Sequence, residues 1–135
     1  MKVLGIDHIG IAVASLEAAL EFYVGILGLR ADAIETKPEL GLRLVNLHLP
    51  NGILELIEAT DWERTTQRHL ERKGPGVYHV GLRVADVDTA IDELQGRGAH
   101  LIDEVAREGD GMRVAFIHPE TSGGALLEMV VRKRP

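Results

Sequence analysis

Apolar positions along the chain fall into short alternating runs and longer runs of helical spacing. Residues 3–13, VLGIDHIGIAV, are β-branched and end at Ser15, a good helix N-cap, just before LEAALEFYVGILG. The spacing predicts a strand, then a helix whose Leu16, Leu20, Tyr23 and Leu27 form one stripe facing a sheet, with Gly28 at the left-handed stop. LRLVNLHL at 42–49 and ILELIE at 53–58 read as strands of a hairpin, because Pro50-Asn51-Gly52 carries the Asn-Gly pair that favours a tight turn. Residues 60–73 begin with Thr60 and Glu63 in capping-box spacing and stop at Gly74-Pro75-Gly76, the pattern of a linker helix. GVYHVGLRVAD then predicts a strand, and VDTAIDELQGRG a helix capped by Asp86 and ended near Gly96 or Gly98. AHLIDEV, RVAFIHP and ALLEMVV complete the chain as strands, divided by Glu108-Gly109-Asp110-Gly111 and Thr121-Ser122-Gly123-Gly124.

The pattern repeats. A shift of 71 residues pairs His8 with His79, Gly10 with Gly81, Val13 with Val84, Ala14 with Ala85 and Ala19 with Ala90. Near the end of each half the shift is 73, and LELI at 54–57 meets LEMV at 127–130, pairing Glu55 with Glu128. Each half reads strand, helix, three strands, with a His on its first strand and a Glu on its last. The expected fold class is α+β: two tandem βαβββ modules, about 3–59 and about 76–131, joined by a linker helix at about 60–75 within one domain of residues 1–135.

Composition narrows what such a domain can do. The chain has 135 residues, 15 Lys and Arg against 21 Asp and Glu, and a formal charge of -6, which argues against nucleic acid or an anionic membrane as partner. A small-molecule substrate fits better. With no cysteine, a disulfide scaffold, a zinc-thiolate centre and a cysteine nucleophile are excluded. No apolar run approaches the roughly 18 residues of a membrane span. MKVLGIDHIG lacks the apolar core and cleavage site of a signal peptide, so a cytoplasmic protein is expected.

Two modules packed with equivalent faces inward would bring His8, Glu55, His79 and Glu128 together. Two neutral imidazoles and two carboxylates make a nitrogen and oxygen site of borderline hardness, suited to cobalt, nickel, manganese, iron or zinc rather than calcium. A lone His in an apolar strand is more often a core or edge residue. Glu55 and Glu128 weigh more, because an ionised carboxylate inside an apolar run needs a partner cation if its strand is central.

The segments IDHIGIAVASLEAALEFYVGILGLR, GVYHVGLRVADVDTAIDELQGRG and RVAFIHPETSGGALLEMV resemble the vicinal oxygen chelate superfamily. Within it they are most similar to the methylmalonyl-CoA epimerase family, over about Ile6 to Val130. The resemblance implies a U-shaped, curved mixed sheet with helices outside, and metal ligands at His8, His79, Glu128 and Glu55. It implies a divalent ion, cobalt above the others, which chelates the thioester and carboxylate oxygens of an acyl-CoA substrate. The implied reaction removes the α-proton and returns it on the other face, with Glu128 as base on one side. It also implies a homodimer, which would cover the edges and apolar back of an open sheet.

Several residues depart from that pattern. Some family members place a Glu after a PEQG-like turn; here the turn is Pro38-Glu39-Leu40-Gly41 and the position is Leu44. On strict alternation Leu44, Asn46 and His48 share a strand face, which makes His48 or Asn46 a candidate for polarity or proton transfer there. The family's His-Pro-Lys is His118-Pro119-Glu120, exchanging a cation for an anion. The Gly-rich stretch before RVAF is one residue short, Ala59 replaces a usual Pro, and Trp62 and Arg64 follow. Lys37, Arg43, Arg68, Arg72, Lys73 and Arg113 are candidates by charge for CoA phosphates, although most such residues are solvated. A glyoxalase-like lyase or isomerase with the same ligands, and a non-catalytic binder of a small ligand, are the alternative readings.

Overall fold

A computed structural model describes residues 1–61, 74–109 and 111–133. The expected linker helix, Trp62 and Arg64 lie on or overlap the remaining residues, outside the described ones. The chain divides into two compact units, His8–Tyr78 and Met1–Asp7 with His79–Pro135.

The first unit follows the order strand, helix, strands. β1 (Val3–Ala12) leads to α1 (Leu16–Leu20), whose cap Ser15 accepts a hydrogen bond from the Ala18 N–H at 3.2 Å. The helix then loosens into a π-helical stretch, Glu21–Ile26. The expected stripe is corrected here. Wider turns move later residues round the axis, so Leu16, Ala19, Leu20 and Tyr23 pack on the sheet while Leu27 is 53% exposed. Gly28 does supply the left-handed stop, at φ 73°.

β2 (Arg30–Ala31) and β3 (Glu35–Lys37) both pair with β4 (Leu42–Leu49), which pairs antiparallel with β5 (Gly52–Ala59). Leu49 faces Gly52, so the two turn residues are Pro50 and Asn51, one position before the expected Asn-Gly pair. β5 pairs parallel with β1, giving the order β2-β4-β5-β1. One face carries Val45, Leu47 and Leu56 against α1. The other carries Leu42, Leu44, Ile57 and Ala12.

The second unit repeats the plan. β6 (Gly76–Val84) precedes α2 (Val87–Gly96), capped by Asp86, whose side chain accepts from the Thr89 N–H at 3.1 Å. β7 (Arg107–Gly109), β8 (Met112–Ile117) and β9 (Leu127–Arg132) follow, with the short α3 (Pro119–Ser122) between the last two. The strand order is β6-β9-β8-β7, parallel only between β6 and β9. AHLIDEV is not a strand: Leu101 alone bridges to Ile117, and Leu101 is buried under α2 with Val87, Ala90 and Ile91. Glu104 and Val105 are exposed, so this segment lacks the second neighbour that would hold it in a ladder. Met112, Val114 and Val130 cluster on the face away from α2.

The α+β class and the tandem βαβββ plan therefore hold, with mixed strand pairing in each half and the first outer strand of the first unit split into the short β2 and β3.

Candidate metal-ligand pairs

Both units carry the same arrangement on the sheet face opposite their helix. In the first, His8 is aligned with Ile53, and Gly10, two residues later on the same face, stands beside Glu55. In the second, Gly81 stands beside Glu128, and His79 lies two residues before it. The sequence shifts of 71 and 73 residues are thus one structural register seen twice. Glycine matters to it because no side chain rises between the His and the Glu.

These are the deepest polar groups of their strands. His8 is 1% exposed, Glu55 7%, His79 3% and Glu128 5%. In the second unit His79 Nε2 lies 3.9 Å from Glu128 Oε1. Phe116, paired with Glu128 across β8 and β9, sets its ring edge-on to the His79 imidazole, with centroids 5.5 Å apart. That contact fixes the plane of the His79 ring and seals one side of it with apolar surface. Each pair offers an imidazole nitrogen and carboxylate oxygens from an apolar wall, the donor chemistry of a borderline divalent ion.

The candidates on β4 lie on the same face of the first unit. Asn46 pairs directly with Glu55, Leu44 with Ile57 and His48 with Ile53. Leu44 is buried in the apolar cluster. Asn46 buries its Oδ1 with no hydrogen-bond partner among the described residues. His48 Nε2 lies 2.7 Å from Asp32 Oδ2. A carboxylate only accepts, so this ring donates through Nε2 and presents Nδ1 elsewhere. The Asp32 partner had no signal in the sequence, because it arrives through β2, a two-residue strand.

The charged candidates for a phosphate tail resolve differently. Arg43 binds Glu17 and Glu58, whose Oε2 also takes the N–H of Leu16, so it fastens α1 to the sheet. Those two carboxylates hold the Arg43 guanidinium above its usual range. Arg113 is likewise held by Asp88 and Glu108. Lys37 lies 4.0 Å from Glu35. Arg68, Arg72 and Lys73 fall outside the described residues.

Known proteins resemble this chain over most of its length. The sequence pattern of the Glyoxalase/Bleomycin resistance protein/Dioxygenase superfamily matches residues 7–116. An uncharacterized protein of Bacillus subtilis, YqjC, is 34% identical over 92% of this chain and 89% of its own. The ethylmalonyl-CoA/methylmalonyl-CoA epimerase of Cereibacter sphaeroides is 31% identical over 92% of this chain and 95% of its own. The crystal structure of methylmalonyl-CoA epimerase from Mycobacterium tuberculosis superposes with a TM-score of 0.86 at 35% identity, covering 98% of this chain and 90% of that one. These likenesses support an enzyme of the isomerase class. Together with the repeated His and Glu register, they make this chain a member of the glyoxalase/bleomycin resistance/dioxygenase superfamily, the vicinal oxygen chelate proteins.

Proposed function

We propose that the protein is a metal-dependent epimerase of a 2-substituted malonyl-CoA thioester. The observation that carries this reading is the duplicated register, a buried His followed two residues later by a Gly that stands beside a buried Glu. His8, Glu55, His79 and Glu128 would hold one divalent ion between them. The donor set suits it, since two imidazole nitrogens and two carboxylates make a site of borderline hardness. When bound, the ion supplies Lewis acidity that stabilises the enolate oxygen of a chelated thioester. Cobalt is the ion proposed first, with nickel, manganese, zinc and iron compatible with the same donors.

The chain's own side chains carry the proton. Glu128 takes it from the α-carbon on one face, which leaves an enolate and a neutral carboxyl group. Protonated His48 returns a proton from Nδ1 on the other face, with Asp32 orienting the ring through Nε2. Solvent exchange then restores both groups, and the opposite enantiomer uses them in reverse order. Leu44 contributes a dry apolar wall in place of a second carboxylate.

The decisive experiment incubates metal-loaded protein with methylmalonyl-CoA in heavy water. Deuterium is expected at the α-carbon, with Glu128→Gln abolishing its entry and His48→Gln slowing it and altering the pH profile. No exchange by the loaded protein sinks the epimerase reading, and a His48→Gln variant with unchanged rate and profile removes His48. Chelation should lower the melting temperature of the wild type by more than that of His8→Ala. The expected homodimer is carried forward as part of the proposal, on the exposed Val3, Leu4 and Ile6 of β1, and light scattering checks it.

A further inference from the structure

Away from the buried pairs, His100, His118 and Glu120 come together in the second unit, with one potential ligand atom from each lying within 4.8 Å of the others. The backbone fixes the two histidines. The His118 N–H donates to His100 O at 2.9 Å, and the neighbouring Ile102 N–H donates to Phe116 O at 3.0 Å. Thr121 Oγ1 accepts from the His100 N–H at 2.8 Å and donates back to His100 O at 3.3 Å. The imidazole rings stack 4.4 Å apart at 3°.

Glu120 is placed over both. Its N–H donates to His118 Nδ1 at 3.1 Å at the start of α3. Its Oε2 lies 3.4 Å from His100 Nδ1 and 3.8 Å from His118 Nδ1. The side chains are 60%, 36% and 76% exposed for His100, His118 and Glu120, which leaves the rings room to turn so that their in-plane lone pairs converge.

Two imidazoles and one carboxylate with open positions suit Zn²⁺, Ni²⁺ or Cu²⁺, whereas Mg²⁺ and Ca²⁺ require an oxygen shell that these residues do not provide. A Lys in place of Glu120 would set an ammonium group there, which repels a cation and offers no lone pair. We propose that His100, His118 and Glu120 form a second, surface site for a borderline divalent ion, distinct from the buried His and Glu pairs. Such an ion would brace the segment after α2 against the end of β8 and the first turn of α3.

Calorimetric titration of the chelator-stripped full chain with Zn²⁺ tests this, repeated on His100→Gln and Glu120→Lys. Each variant is expected to lose one equivalent relative to wild type while keeping its apo melting temperature. Cu²⁺ bound to the same equivalent should show nitrogen hyperfine splitting in its electron paramagnetic resonance spectrum, and His100→Gln should lose it. His8→Ala should keep this equivalent, which separates the surface site from the proposed epimerase centre. Full stoichiometry in both surface variants, or no Zn²⁺ bound by wild type, overturns the proposal.

Discussion

Asn46 buries a carbonyl oxygen that makes no hydrogen bond among the described residues, on the strand position directly across from Glu55. An acceptor left unsatisfied out of water costs about 1–3 kcal/mol, so a fold shaped only for stability would place a hydrocarbon there. Asn46→Leu is therefore expected to raise stability by about 1 kcal/mol in urea denaturation while reducing substrate exchange. A less stable variant would show that the amide is partnered in solution. The alternation of LRLVNLHL already put Leu44, Asn46 and His48 on one face. It could not show that Asp32 orients His48, because that contact depends on how the connection between α1 and β4 returns to the sheet.

At the scale of elements, the two helix starts were legible because capping is local. Ser15 and Asp86 each reach the N–H three residues ahead, a geometry set by a few dihedral angles. Asp86→Ala is expected to cost about 1 kcal/mol, read as a lower urea midpoint, since α2 carries Val87, Ala90 and Ile91 into the core of the second unit. An unchanged midpoint would mean that core packing alone sets the helix start. The π-helical stretch after Leu20 was not legible. Its Leu27 N–H to Phe22 O bond of 2.9 Å spans five residues, and no composition signal distinguishes that from the four-residue ladder the Leu16, Leu20, Tyr23, Leu27 spacing suggests. AHLIDEV failed as a strand for a related reason. Its β-branched and apolar residues state a preference, while pairing depends on a neighbour being present.

At the scale of the whole molecule, charge pairs tie distant parts of the chain. Asp7 on β1 is buried and accepts a bifurcated hydrogen bond from the Arg132 Nε–H at the end of β9, at 3.0 and 2.9 Å to its two oxygens, with Arg83 at 3.5 Å. Arg132→Leu removes the closer partner of a buried carboxylate and is expected to cost about 3 kcal/mol, far more than Arg83→Leu, in chemical denaturation. Equal losses would mean that the two arginines share the charge evenly. Exposed carboxylates act in the same sense but weakly. Arg43 lowers Glu17, the N-terminal ammonium lowers Glu93, and Lys133 with Arg113 lowers Glu108 below the usual carboxylate range. Groups depressed on folding stabilise above their unfolded value of 4.5 and lose that contribution as pH falls through the folded values. Stability should therefore decline as acid is added below that point, and salt should blunt the decline because these groups are solvated. A decline unaffected by salt would assign acid sensitivity to buried groups instead.

Local and periodic information was enough for the sequence to determine the tandem βαβββ plan, the caps and the Gly28 stop, and to single out His8, Glu55, His79 and Glu128 as candidates. Each depends on neighbours along the chain or on a repeat that duplicates them. Tertiary structure decided what the chain meets across space: the register that sets Gly10 beside Glu55 and Gly81 beside Glu128, the Asp32 partner of His48, and the engagement of Arg43 and Arg113 by carboxylates. It also brought His100 against His118 and Glu120 through the bridge between Leu101 and Ile117. Such pairings depend on loop closure and sheet register, free energies shared among many residues, and no short window of sequence encodes them.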